Sequence, residues 1–123
     1  MRQELTLTTE MADVRIVHDL LVNIKKTFSR SEANKVLNLI ATLEGNPKKG
    51  KLVGNVGGLL INELKYKKFR FYFIVEGHKL KVFSEEELVN LLIMVVRMSD
   101  KKEQKKTIDE IREVLRKIGP EGL

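Results

Sequence analysis

Two runs of strand-forming residues, LLINELKY (59–66) and FRFYFIVE (69–76), stand on either side of a lysine pair, and no other feature narrows the possible folds as far. Aromatic and aliphatic residues at alternate positions suit a pleated surface, and a connection as tight as Tyr66-Lys67-Lys68 suits adjacent strands of one meander. In the second run Phe69, Phe71, Phe73 and Val75 face one way, while Arg70, Tyr72, Ile74 and Glu76 face the other. The first set suits a core. The second presents Arg70 and Tyr72 beside Glu63 and Lys65 of the neighbouring strand. After a turn at Gly77, Leu80 and Val82 alternate with Lys79 and Lys81 and are expected to form a third strand.

The flanking segments supply helices. Leu5 and Leu7 alternate with Thr6 and Thr8 as in a short first strand, and Thr9 is placed to cap a helix carrying Val14, Val17, Leu21, Ile24 and Phe28 on one face. Ser29 and Glu32 form a capping box for a second helix, with Ala33, Val36, Leu37, Ile40 and Leu43 as its buried stripe and Gly45 as its stop. NPKKGKLVGNVGG (46–58) reads as a long loop closed by Gly57 and Gly58. SEEELVNLLIMVVRMS (84–99) fits two readings, since Ser84 and Glu87 make a helix start whereas Leu91–Val96 is a continuous apolar run; the reading adopted is a short turn or helix over 85–90 and then a buried strand. Asp100 and Glu103 start a last helix bearing Ile108, Ile111, Leu115 and Ile118, which Gly119-Pro120 ends. The expected architecture is one α+β domain over 1–123: an N-terminal strand and helical hairpin on a mainly antiparallel sheet of four or five strands, with a C-terminal helix.

The chain is 42% hydrophobic and 33% charged, a globular composition, and it has no cysteine, which excludes disulfides and thiolate metal sites. MRQELTLTTE lacks the apolar stretch of a signal peptide and no run is long enough for a membrane helix, so a cytoplasmic protein without a membrane partner is expected. From Gly45 to Phe83, nine cations stand against two anions. Such a field favours a polyanion, nucleic acid first; the alternative is a solvated lysine-rich surface.

The order of elements resembles that of the RelE/ParE toxin superfamily. The residues that carry the likeness are KGKLVG (49–54), INELKYKKFRFYFIV (61–75) and VVRMSDKKEQKKTIDEI (95–111). They are similar to that family's "KL.G", its "ELR" strand followed by "yRvfY", and the start of the last helix in its HigB-like branch. The resemblance implies a RelE-like fold and a type II toxin: a ribosome-dependent mRNA endonuclease in which a 2′-hydroxyl attacks the adjacent phosphate, restrained by an antitoxin protein. Neither metal nor cofactor is implied.

Carried over residue by residue, the resemblance makes Arg70 the holder of the scissile phosphate, Lys65 and Arg97 stabilisers of transition-state charge, and Glu63 a base or an orienter of Arg70. Lys48, Lys49, Lys51, Lys67, Lys68 and Lys101 would contact RNA backbone, and Tyr72 would stack a base or act as acid. Each has a plainer reading as well: Arg70 paired with Glu63 across strands, Tyr72 as packing, the lysines solvated. His18 is expected beside the first helix's core stripe and His78 in an exposed turn. The chain departs from the family where a Tyr or His often stands near the start of the final helix, since the neighbourhood here is Asp100-Lys101-Lys102-Glu103-Gln104. That departure motivates the rival function, a non-catalytic module of the same architecture, either a ParE-like gyrase inhibitor or a degenerate or viral relative.

Overall fold

The computed structural model describes residues 11–82 and 91–123. Along the chain run β1 (Asp13–Ile16), α1 (His18–Thr27), α2 (Arg30–Ala41) with a 3-10 turn at Thr42–Glu44, β2 (Lys51–Val56), β3 (Leu59–Tyr66) and β4 (Phe69–Glu76). After these come α3 (Gly77–Val82), β5 (Leu92–Asp100), α4 (Gln104–Lys117) and a 3-10 turn at Pro120–Gly122. The strands form one five-stranded sheet in the order β1-β5-β4-β3-β2, antiparallel except where β1 runs beside β5. None of the described helices is long and apolar enough to cross a membrane.

The central hairpin is as expected, with Tyr66 opposite Phe69 and the link reduced to Lys67 and Lys68. Lys67 takes a φ of 54°, the positive value that the first residue of a two-residue hairpin turn requires. The second helix of the hairpin follows its cap: Ser29 Oγ accepts from the Glu32 amide at 3.2 Å, and Ala33, Val36, Ile40 and Leu43 are buried. At the far end Asp100 Oδ1 accepts from the Glu103 amide at 2.9 Å in the turn ahead of α4, whose own N-cap is Glu103 with no side-chain cap, so the helix starts later than expected; it buries Ile111 and Leu115 but leaves Ile118 63% exposed. Ile118 is therefore not part of the core stripe.

Several expectations give way to tertiary pairing. The first helix starts at His18, and Val14 belongs instead to β1, where it registers with Ile93. Val14 fits a strand period with Ile16 as well as a helical one with Val17 and Leu21, and the buried β5 beside it selects the strand. The expected strand at Leu5–Thr8, the Thr9 cap and the turn or helix at 85–90 lie outside the described residues. NPKKGKLVGNVGG contains β2, joined to β3 by Gly57 and Gly58, whose φ values of 57° and 88° match a two-residue hairpin turn that needs both residues left-handed. Leu80 lies in the short helix α3 and is buried in the core, so the third strand of the meander is absent. β4 already has β3 on one edge and β5 on the other, leaving no ladder for a strand at 79–82.

The sheet is covered on both faces. Phe71, Phe73, Val75, Ile93 and Val95 pack against Leu20 and Ile24 of α1 and Val36 and Ile40 of α2. On the other side Tyr72, Ile74, Ile61 and Val96 pack against Ile111 and Leu115 of α4. The face expected to present Arg70 and Tyr72 openly thus lies partly beneath a helix.

Candidate functional site

Strand register decides which side chains meet. Lys51, Glu63, Tyr72 and Arg97 make one row across β2, β3, β4 and β5, and Lys65, Arg70 and Ser99 make the next. Directly opposed residues share a face of the sheet, so both rows lie on the α4 side.

Glu63 and Arg70 are only 7% and 8% exposed. Glu63 Oε2 accepts a hydrogen bond from Gln104 Nε2 at 2.7 Å, while its Oε1 lies 3.9 Å from Arg70 Nε. Arg70 Nη1 donates to the carbonyls of Phe69 at 3.1 Å and Lys67 at 3.4 Å. The cross-strand ion pair is therefore present on the diagonal, and Arg70's direct neighbour is Lys65, which is exposed. Each buried charge compensates the other, as a charge in a poorly solvated setting requires.

Tyr72 has no exposed surface, and its hydroxyl lies 2.8 Å from Ser99 Oγ, which in turn donates to the Asp100 carbonyl at 2.9 Å. Burial holds the phenol's pKa above its ordinary value, an effect that Ser99 opposes and the charge of Glu63 adds to. In this arrangement the ring is a packing element, with no face open to a nucleobase. Arg97 follows a bulge, where Val96 and Arg97 together oppose Tyr72. Its Nη1 donates to the carbonyls of Val96 at 2.8 Å and Leu123 at 3.4 Å, which directs the guanidinium towards the last residues of the chain.

The lysines divide. Lys51 and Lys65 are exposed beside Glu63 and Arg70, and Lys68, Asp100, Lys101 and Lys102 line a cleft of about 490 Å³. Lys67 instead turns to the helical hairpin: its Nζ donates to Glu32 Oε1 at 2.8 Å, and Tyr66 donates its hydroxyl to the same carboxylate. The Lys67 bond, then the Tyr66 bond, holds Glu32 below the usual carboxylate range, and the carboxylate raises both partners in return. Lys49 Nζ donates to Thr42 Oγ1 at 3.1 Å, and Lys48 lines a separate cleft with His78 and Leu80. His18 is exposed at the first position of α1, not beside its buried stripe.

Gln104 and Ser99 were not singled out from the sequence. The period of α4 was a usable signal for Gln104, because helical spacing puts it on the same face as Thr107, Ile111 and Leu115. Ser99 had no comparable signal, since its role depends on a partner 27 residues away.

No family model matches the chain, and no curated protein matches it. Among solved structures, a chain of the archaeal RelE-RelB complex from Pyrococcus horikoshii OT3 superposes with a TM-score of 0.56 at 12% identity, over 73% of this chain and 94% of that one. With its helical hairpin, five-stranded sheet and covering last helix, this chain has a RelE-like fold.

Proposed function

We propose that this protein is the toxin of a type II toxin–antitoxin system, a metal-independent, ribosome-dependent mRNA endonuclease of the HigB-like branch acting in the cytoplasm. The observation that carries the reading is the Glu63–Arg70 pair, fixed by Gln104 and flanked by the exposed Lys65 and Lys51, on a RelE-like fold. In-line attack of a 2′-hydroxyl on the neighbouring phosphate adds negative charge to the non-bridging oxygens. A site that performs it needs cations held in place and a group that accepts a proton.

Lys65 meets the first need from the surface, and Arg70 from beneath it. Arg70 Nη2 has no protein acceptor among the described residues, which leaves two donors for a phosphate oxygen while Nη1 and Nε stay anchored. Glu63 is the acceptor for the 2′-hydroxyl proton or, with its oxygens shared between Gln104 and Arg70, the group that sets the guanidinium plane. Tyr72 supports Glu63 and Arg97 in its row, and Lys68 and Lys101 meet the RNA backbone. An antitoxin is the expected protein partner, in keeping with the RelE-RelB complex of similar fold. The test is induced expression with growth measurement and mapping of mRNA 5′ ends. Arrest with new ends is expected for the wild type and neither for Arg70→Ala; undiminished arrest in a folded Arg70→Ala protein removes the assigned site.

One observation favours a second reading. Gln104, whose amide cannot exchange a proton in catalysis, occupies the contact with Glu63 at the start of α4, where cleaving relatives often place a Tyr or His. A non-catalytic module using the same surface, of the gyrase-inhibitor kind or degenerate, then follows. Growth arrest with no new mRNA ends on cognate ribosomes selects it.

A further inference from the structure

The segment KKEQKK (101–106) sets four cations against one anion, and the site described above uses only Lys101 of them. Lys101 and Lys102 line two clefts at once. One is the cleft shared with Lys68 and Asp100; the other, of about 390 Å³, lies between β2 and α4 and is lined by Val53, Gln104, Lys105, Ile108, Asp109 and Arg112. Both are lined by this lysine pair, so together they mark one path, hereafter the channel, from the β3–β4 turn to the third turn of α4.

The carboxylates along the channel are largely engaged. Asp100 Oδ1 holds the Glu103 amide at 2.9 Å, and Asp109 lies 3.7 Å from Arg112, which donates to the Val53 carbonyl at 3.1 Å. Arg112 is thereby a wall of the cleft, anchored between helix and strand. Lys101, Lys102 and Lys105 are exposed and form no ion pair among the described residues, while Glu103 stands exposed at the same turn. Val53 and Ile108 supply an apolar floor. Cations above such a floor suit a chain of phosphates with flat, apolar-faced units between them.

We infer that single-stranded RNA continues past the Glu63–Arg70 site along this channel, with Lys102 and Lys105 on consecutive backbone phosphates and a ribose or base against Val53 and Ile108. The inference rests on the RNA-cleaving reading above and adds to it the path of the strand.

The test titrates the full chain with a short, non-cleavable 2′-O-methyl oligoribonucleotide at several salt concentrations. Wild type is compared with Lys102→Gln/Lys105→Gln and with a charge-matched control on α1, Lys25→Gln/Lys26→Gln. Losing two single-strand phosphate contacts is expected to make the log–log salt slope shallower by about 1.4 and to weaken binding about tenfold or more at low salt, with the control near wild type. A steep wild-type slope that Lys102→Gln/Lys105→Gln leaves unchanged, or that the control reduces equally, overturns the channel and spares the proposed function. A wild type that binds no RNA, or binds it with no salt dependence, overturns the channel and turns this surface towards a protein partner, while the mapping of mRNA 5′ ends decides the proposed function separately.

Discussion

Gln104 Nε2 donates to Glu63 Oε2 at 2.7 Å, so the first residue of α4 is tied to the middle of β3 across 41 positions of sequence. This bond is where the last helix meets the charged centre of the sheet. Removing it as Gln104→Ala leaves a buried carboxylate oxygen without its donor, at an expected cost of about 1–2 kcal/mol. Gln104→Glu sets a second carboxylate against Glu63 and is expected to cost more, with recovery at low pH. Urea unfolding at neutral and acid pH measures both; equal stability of the three proteins would mean that the bond contributes nothing.

The Glu63–Arg70 pair makes a second prediction. Glu63→Gln strands a buried guanidinium and is expected to lose about 2–3 kcal/mol, as is Arg70→Met for the carboxylate. Glu63→Gln/Arg70→Met should lose clearly less than the two single losses combined, because neither charge is then left alone. Additive losses in this double-mutant cycle would show that the 3.9 Å approach carries no coupling.

Titration gives opposite signs at the two ends of the pH range. Tyr72, Tyr66 and Lys67 hold their protons to higher pH in the folded chain than in the unfolded one, so their contribution is intact below about pH 10 and is lost as pH rises beyond it. Tyr72→Phe should make that alkaline decline shallower without abolishing it. Glu32, lowered in the folded state, contributes stability above the unfolded carboxylate pKa of about 4.3 that disappears as pH falls through the folded value, and Glu32→Gln should flatten this acid limb. Urea midpoints across the range decide; an alkaline slope identical in Tyr72→Phe and wild type contradicts the first assignment.

Gly50 and Gly58 offer a controlled comparison. Both have positive φ, 106° and 88°, but a Cβ at Gly50 would lie 2.7 Å from the Glu63 carbonyl and 3.2 Å from the Phe73 ring, whereas one at Gly58 meets nothing within 4 Å. Gly58→Ala is expected to cost about 1 kcal/mol from backbone conformation alone. Gly50→Ala adds a backbone clash behind Glu63 and should cost about 2–4 kcal/mol. Similar thermal midpoints for the two variants would refute the steric part of this account.

Much of the fold was legible because its signals are local. Ser29 caps α2 through a partner three residues away, and the β3–β4 hairpin is announced by alternation on both sides of a two-residue link. The Gly57-Gly58 turn was equally local and could have revealed β2, had KLVGNV been weighed as a strand and not as part of a loop. For the site, the strand positions of Glu63, Lys65, Arg70 and Tyr72 on one face could be read directly. The burial of Glu63, Arg70 and Tyr72 could not, because it depends on α4 folding back over the sheet.

The sequence by itself determined the periods: two in FRFYFIVE, and three to four in the helical hairpin and the last helix, with the Ser29 cap that sets where α2 starts. Tertiary structure alone decided between competing uses of similar patterns. Val14 became a strand residue because β5 offered an edge, and Leu80 a helical one because β4 had no edge left. It also distributed the cations. Lys67 went to Glu32, Arg70 to Glu63, and Lys65 and Lys102 to solvent, since a lysine's or arginine's partner is chosen by whichever carboxylate the fold brings within reach, and that reach spans elements far apart in the chain.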